Sequence, residues 1–445
     1  MNTIVFTNAT VVQTKKPFAV TANVDVVVKG DKIEAVGPSL ATKYPKAKVI
    51  DVTNKIIMPG MVCSHHHFYS VLSRGMLVKT GPQNDLTQVL KEWWWRLDRA
   101  LDEESVYYSA LICSLEAIMC GTTTCIDHHA SPSFISGSLQ AIAKGVEEVG
   151  MRAMTCYEVT DRNRGLDEVK EGIKENIEFA KSVDEKYKRN EDVLVEAMIG
   201  GHAPYTVPNA GLEMMKEASD ITKRGIHLHA AEDKYDVSFS HHNYNLDVMQ
   251  RLDNFGLLDE KSILVHGLFF NEGEIDLLNE RKTYLAHNAR SNMNNNVGYI
   301  KHLDKVANLL IGSDGCDGNM FEELKFAFFK NRDMSLPFNT TDYVNFIGRG
   351  NEFLEKYFNA KFGRVEAGYK ADLIVVDYKN PTPLVDENVA THLVWGFNTH
   401  VVNSTMVNGR LLMHNRQFDL DIDEIFAKSQ GVAKKLWERV EKIKP

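Results

Sequence analysis

The sequence has no Cys-x-x-Cys pair, no cluster of basic residues and no apolar run near the roughly 20 residues that a bilayer-spanning helix requires. Six cysteines (Cys63, Cys113, Cys120, Cys125, Cys156, Cys316) without that pairing, in apolar surroundings, suit reduced interior thiols rather than a disulfide framework or thiol catalysis. A net charge of -9 without a basic patch argues against nucleic acid or an anionic membrane surface as partner. The opening Met1-Asn-Thr-Ile-Val has neither the basic nor the apolar region of a secretory leader, so a cytoplasmic protein is expected. What remains is a chain of ordinary composition, long enough for more than one domain, with a small molecule as its expected ligand.

Short alternating segments occupy both ends. Ile4 to Asn8 and Asp25 to Gly37, with a Gly30-Asp31 turn, read as strands and a hairpin; Ala371 to Asp377 and His400 to Leu412 repeat the texture. Neither end alone carries enough strands for a stable sheet. Residues 1–58 and 361–445 are therefore expected to share one small β-sandwich domain, with a terminal helix over Asp423 to Ile443. Between them, residues 59–360 alternate apolar strands with amphipathic helices, as in α/β folds. Eight strand candidates fit a (β/α)8 TIM-like barrel: Ile56–Cys63, Thr122–Asp127, Arg152–Val159, Val193–Ile199, Gly225–His229, Ser262–His266, Lys282–Ala286 and Val306–Ile311.

Barrel active sites form at the C-terminal ends of strands. There the sequence places His65 and His67, then His227 and His229 with Glu232, His266, His287 to Asn292, and Asp314. Strand alternation puts His65 and His67 on one face and His66 on the other, a two-ligand metal clip.

These residues carry a resemblance. Pro59-Gly-Met-Val-Cys-Ser-His-His-His, His229-Ala-Ala-Glu232, Val265-His-Gly and Gly312-Ser-Asp resemble the amidohydrolase superfamily, in its cytosine deaminase and triazine hydrolase branch. Trp94-Trp95-Arg96-Leu-Asp-Arg, Cys125-Ile-Asp-His-His-Ala-Ser, Met198-Ile-Gly-Gly-His-Ala-Pro and His287-Asn-Ala-Arg-Ser-Asn-Met-Asn-Asn narrow it to SsnA-type aminohydrolases. The resemblance implies one divalent metal per chain, Zn²⁺ or Fe²⁺, held by His65, His67, His229 and Asp314; no lysine follows the fourth strand to support a second ion. It implies Glu232 as proton shuttle, Asp314 as acceptor of the first proton, and His266 as hydrogen-bond partner of the nucleophile or a fifth ligand. A bound cation of this kind lowers the pKa of ligated water to roughly 7, which makes hydroxide available at neutral pH. His202, His128, His129, Trp94, Asn288 and Arg290 are substrate-contact candidates, with Arg290 favouring an anionic ring. The implied function is hydrolysis of a C–N bond in a purine-like heterocycle within purine catabolism. Ring opening of an oxopurine such as 2,8-dioxopurine is expected first, with deamination of an aminopurine or pyrimidine, or a catalytically silent barrel, as alternatives. A homo-oligomer, dimer or larger, is also implied.

Overall fold

The computed structural model describes residues 3–445. Eight parallel strands form the barrel: β1 (Met61–His66), β2 (Thr122–Asp127), β3 (Arg152–Thr155), β4 (Val195–Ala197 and, past Met198, Ile199–Gly201), β5 (Ile226–Ala230), β6 (Ile263–His266), β7 (Tyr284–His287) and β8 (Leu309–Ile311). Neighbours pair in chain order. The ring closes where the amides of Ser313 and Asp314 donate to the carbonyl of His65 at 2.9 and 3.0 Å. Every barrel strand is buried along its length, as parallel strands covered by helices must be.

The expected first barrel strand, Ile56–Cys63, is two strands. Ile56–Pro59 pairs antiparallel with Leu373–Val376 and parallel with Thr10 and Val11, in a nine-stranded sheet drawn from both ends of the chain. β1 starts only at Met61 and runs to His66. Gly60 marks the change of sheet, because a Cβ there would lie 2.2 Å from the Thr123 side chain. The continuous apolar composition of 56–63 hides this division, since both halves are buried. The nine-stranded sheet packs on its own core, including Phe6, Val26, Ile57 and Leu373.

The helix Glu103–Met119 covers the β1–β2 crossover. Asp102 caps it through the Ser105 amide at 3.0 Å, and the Ser105 hydroxyl accepts from the Asp102 amide at 2.8 Å. Asp102→Ala should lower the unfolding free energy by about 1 kcal/mol, measured by chemical denaturation. Gly121 follows in the left-handed conformation that closes the helix (φ 81°).

The terminal helix Ile422–Val440 docks on the segment that precedes Asp102. Trp437 Nε1 donates to the Leu72 carbonyl at 2.7 Å, and the Arg96 guanidinium donates to the carbonyls of Val440 and Ile443 at 3.1 and 2.8 Å. Among the described residues, no helix is long and apolar enough to cross a membrane.

Candidate functional site

Three imidazoles converge at the C-terminal end of the barrel, each pinned through Nδ1. His67 Nδ1 donates to the His128 carbonyl at 2.6 Å, and His229 Nδ1 donates to the His202 carbonyl at 2.8 Å. His65 Nδ1 lies 2.9 Å from His227 Nε2, so donation there completes the same pattern. Each ring then presents a bare Nε2, the arrangement by which outer partners fix the tautomer of metal-ligating histidines. Burial holds His65 and His229 well below the ordinary imidazole range, which keeps their lone pairs free.

The bare nitrogens meet. His67 Nε2 and His229 Nε2 are 3.3 Å apart, and Asp314 Oδ1 lies 3.1 Å from His67 Nε2 and 3.7 Å from His65 Nε2. Two lone pairs cannot bond to each other, and His65 Nε2 is buried with no partner. A shared cation resolves both facts: bonds of about 2.0–2.1 Å in tetrahedral geometry separate two nitrogens by about 3.3 Å. Three neutral imidazoles and a carboxylate are a donor set suited to zinc.

Asp314 is held firmly. Its Oδ2 accepts from Ser291 Oγ at 2.6 Å and its Oδ1 from the Gly315 amide at 2.8 Å. Asp314, His266 and Ala231 all have left-handed backbone (φ 55°, 73° and 49°), a concentration of strained non-glycine residues of the kind found at functional sites.

His266 Nδ1 lies 2.9 Å from Asn292 Oδ1, while its unpartnered Nε2 stands 3.6 Å from Glu232 Oε2 and 3.7 Å from Asp314 Oδ2. Burial pushes the Glu232 carboxyl up to about 7, against the pull of His266, so both of its protonation states are populated near neutrality. Its side chain keeps 17% of its surface open, toward a cavity of about 260 Å³ that His67, His229 and Asp314 also line.

The substrate-contact candidates divide. His202 and Trp94 line the cavity, as does Trp95. His128 does not: its ring stacks on His227 at 4.4 Å behind the ligand cluster. His129 turns to Ser131 Oγ at 2.8 Å. Asn288 is fully buried and packs its Oδ1 against Gly312 beneath the site. Arg290 also lies off the cavity, paired with Asp317, Glu322 and Glu323 at 2.7, 3.1 and 2.6 Å, so it holds no charge free for an anionic ring. His66 faces away, with Nδ1 3.1 Å from Ser313 Oγ, and His241 pairs with Asp247 at 3.0 Å outside the cavity.

Three residues that sequence reasoning passed over belong to the site. Glu158 and Asp98 line the cavity, and Ser291 both lines it and holds Asp314. A carboxylate inside the apolar run Arg152–Val159 was the available sign for Glu158, and Ser291 lies inside the motif that begins at His287.

Comparison with known proteins agrees with this architecture. A 5-methylthioadenosine/S-adenosylhomocysteine deaminase of Thermococcus sibiricus is 29% identical over 398 residues, covering 87% of this chain and 89% of the relative. A 5'-deoxyadenosine deaminase of Methanobrevibacter smithii is 29% identical over 428 residues, covering 93% and 94%. In fold, the chain is similar to a crystal structure of an adenosine deaminase of Xanthomonas campestris with bound zinc, with a TM-score of 0.82 at 23% identity over 99% of each chain. A zinc complex of an atrazine chlorohydrolase of Arthrobacter aurescens matches with a TM-score of 0.78 at 18% identity, over 97% of this chain and 100% of that one. The amidohydrolase family profile matches residues 56–412, most of the chain, and the protein therefore belongs to the amidohydrolase family, hydrolases that act on C–N bonds.

Proposed function

We propose that the protein is a metal-dependent hydrolytic deaminase that replaces the exocyclic amine of an aminopurine with oxygen and releases ammonia. The observation that carries this reading is Glu232, a carboxyl that lines the cavity beside the bare-nitrogen cluster, 3.6 Å from His266 Nε2, in a chain whose near-full-length relatives are named as deaminases of methylthioadenosine, S-adenosylhomocysteine and deoxyadenosine. Those names favour loss of an amine over the ring opening of an oxopurine expected from the sequence.

His65, His67, His229 and Asp314 would hold one divalent ion, with zinc the best match to the donor set. When bound, that ion supplies an acidified water and stabilises charge on the reacting carbon's substituents. The protein's own groups do the rest. Asp314 takes the first proton from the attacking water. His266, between Glu232 and Asp314, orients the nucleophile through Nε2, and Asn292 fixes the ring from behind. Glu232, entering protonated, gives its proton to the ring nitrogen beside the attacked carbon as the C–O bond forms; the proton held on Asp314 then goes to the departing amine as the C–N bond breaks, and Glu232 takes back the proton of the added hydroxyl as it becomes the carbonyl. A cavity of about 260 Å³ lies at the small end of ligand pockets, a size suited to a purine.

Incubation with a panel of aminopurines and oxopurines, reading both ammonia and the ring's ultraviolet absorbance, tests the reading. Ammonia with an intact but shifted ring spectrum is expected. Collapse of ring absorbance without ammonia would return the ring-opening reading. Ser291→Ala removes one charged hydrogen bond from Asp314 and should weaken metal affinity by about 10- to 100-fold, measured by chelator competition.

A further inference from the structure

Several polar atoms of the cavity wall are left unpaired, and three of the residues concerned offer acceptors. Glu158, 2% exposed on the turn after β3, lines the cavity, and its Oε1 is buried without a hydrogen-bond partner. Two ring nitrogens flank that oxygen, His67 Nδ1 at 3.3 Å and His128 Nδ1 at 3.4 Å. Neither satisfies it. The His67 Nδ1 proton is directed to the His128 carbonyl at 2.6 Å, and His128 donates through Nε2 to the His227 carbonyl at 3.1 Å, which leaves His128 Nδ1 as a lone pair in the neutral ring. Asp98 repeats the pattern: Arg162 holds its Oδ2 at 3.0 Å, while Oδ1 is buried and unpartnered. His202 adds a third acceptor. Thr206 Oγ1 donates to the Ala203 carbonyl at 3.1 Å, so it accepts from His202 Nδ1 at 2.8 Å, and His202 Nε2 is left bare. On the same wall stand donors: Trp95 Nε1 is buried without a partner, and Trp94 and Tyr69 also line the cavity.

We propose that Glu158 is a specificity-determining residue of this site, and that it selects a neutral purine bearing a ring N–H donor on the edge it meets. The proposal rests on the deaminase reading for the identity of the ring, and it narrows that reading. An adenine nucleoside has bare N1, N3 and N7 and a substituted N9, so apart from the exocyclic amine, which must lie at the site of attack, its ring nitrogens would meet these acceptors lone pair to lone pair. A free base or a lactam-type aminopurine meets them with N–H. Sugar hydroxyls are donors as well, but a Glu158 carboxylate oxygen lies within 4.8 Å of ring nitrogens of both His229 and His202, beside the cluster where the ring itself must lie for attack. A buried acceptor left facing a second acceptor costs binding, which is how a site built for a donor rejects the analogue that lacks it.

The test compares metal-loaded wild-type protein with Glu158→Gln, using adenine against 9-methyladenine and guanine against 1-methylguanine, with affinity read by calorimetry and turnover by ammonia. Wild type should prefer the N–H base in at least one pair by about tenfold or more. Glu158→Gln should remove that preference while retaining its metal; a purely steric preference would survive the substitution. Absence of any preference in wild type overturns the proposal without recourse to the variant. Survival of the preference in Glu158→Gln, or loss of metal from it, also overturns the proposal, the latter by assigning Glu158 to the support of His67. Binding preference without ammonia from any purine would defeat the deaminase reading and leave this one standing.

Discussion

Replacing Glu232 by Gln leaves the metal content unchanged and lowers turnover by about 10²- to 10⁴-fold, the contribution typical of a positioned acid–base group. The amide keeps the size of the side chain and its place 3.6 Å from His266 Nε2, but it cannot take up or deliver a proton. Glu232 stands outside the converging Nε2 cluster, so the ion should stay. The expected signature is a fall in kcat at constant metal stoichiometry, measured by steady-state kinetics alongside elemental analysis. A variant near the wild-type rate would show that the proton travels by another route.

Replacing His67 by Ala abolishes both metal binding and turnover. His67 is the centre of the cluster, with its Nε2 within 3.3 Å of His229 Nε2 and 3.1 Å of Asp314 Oδ1. Its removal leaves two imidazoles and a carboxylate, of which His65 lies farther from Asp314, at 3.7 Å. Elemental analysis of the purified variant should find far less than one ion per chain, while circular dichroism should show the wild-type helix content. Full occupancy in this variant would mean that the ion sits elsewhere. The contrast between the two substitutions separates holding the ion from moving the proton.

Much of this arrangement was legible in the chain because it depends on local period. Alternation along β1 places His65 and His67 together and turns His66 toward Ser313, and the strand ends announce His229, His266 and Asp314. What could not be read depends on distant partners. Arg290 in isolation suits an anionic ring; the carboxylates that neutralise it, Asp317, Glu322 and Glu323, lie 27 to 33 residues further along. His128 and His129 follow the second strand as a contact pair should, yet packing against His227 and Ser131 directs both away from the cavity. The terminal helix showed its amphipathic pattern but not its seat, since Trp437 meets Leu72 across 365 positions. Glu158 was overlooked because its acceptor role appears only once the hydrogen bonds of His67 and His128 are accounted for.

Asp98, Glu158, Glu232 and Asp314 all line the cavity, and Arg162, the cation at its edge, is paired to Asp98. With Asp98 paired to Arg162 and Asp314 facing the ion, Glu158 and Glu232 are the carboxyl groups left to meet the N–H groups of a neutral aminopurine. The same wall leaves Glu232 and His266 to act on the ring from the side of the metal cluster.

Metal-dependent release of ammonia is tested by one measurement: ammonia formed per purine consumed, before chelation, after chelation and after zinc is restored. One ammonia per purine, lost with the metal and recovered with zinc, is the predicted result. Purine consumed without ammonia, or ammonia release undiminished in the metal-free protein, would contradict it.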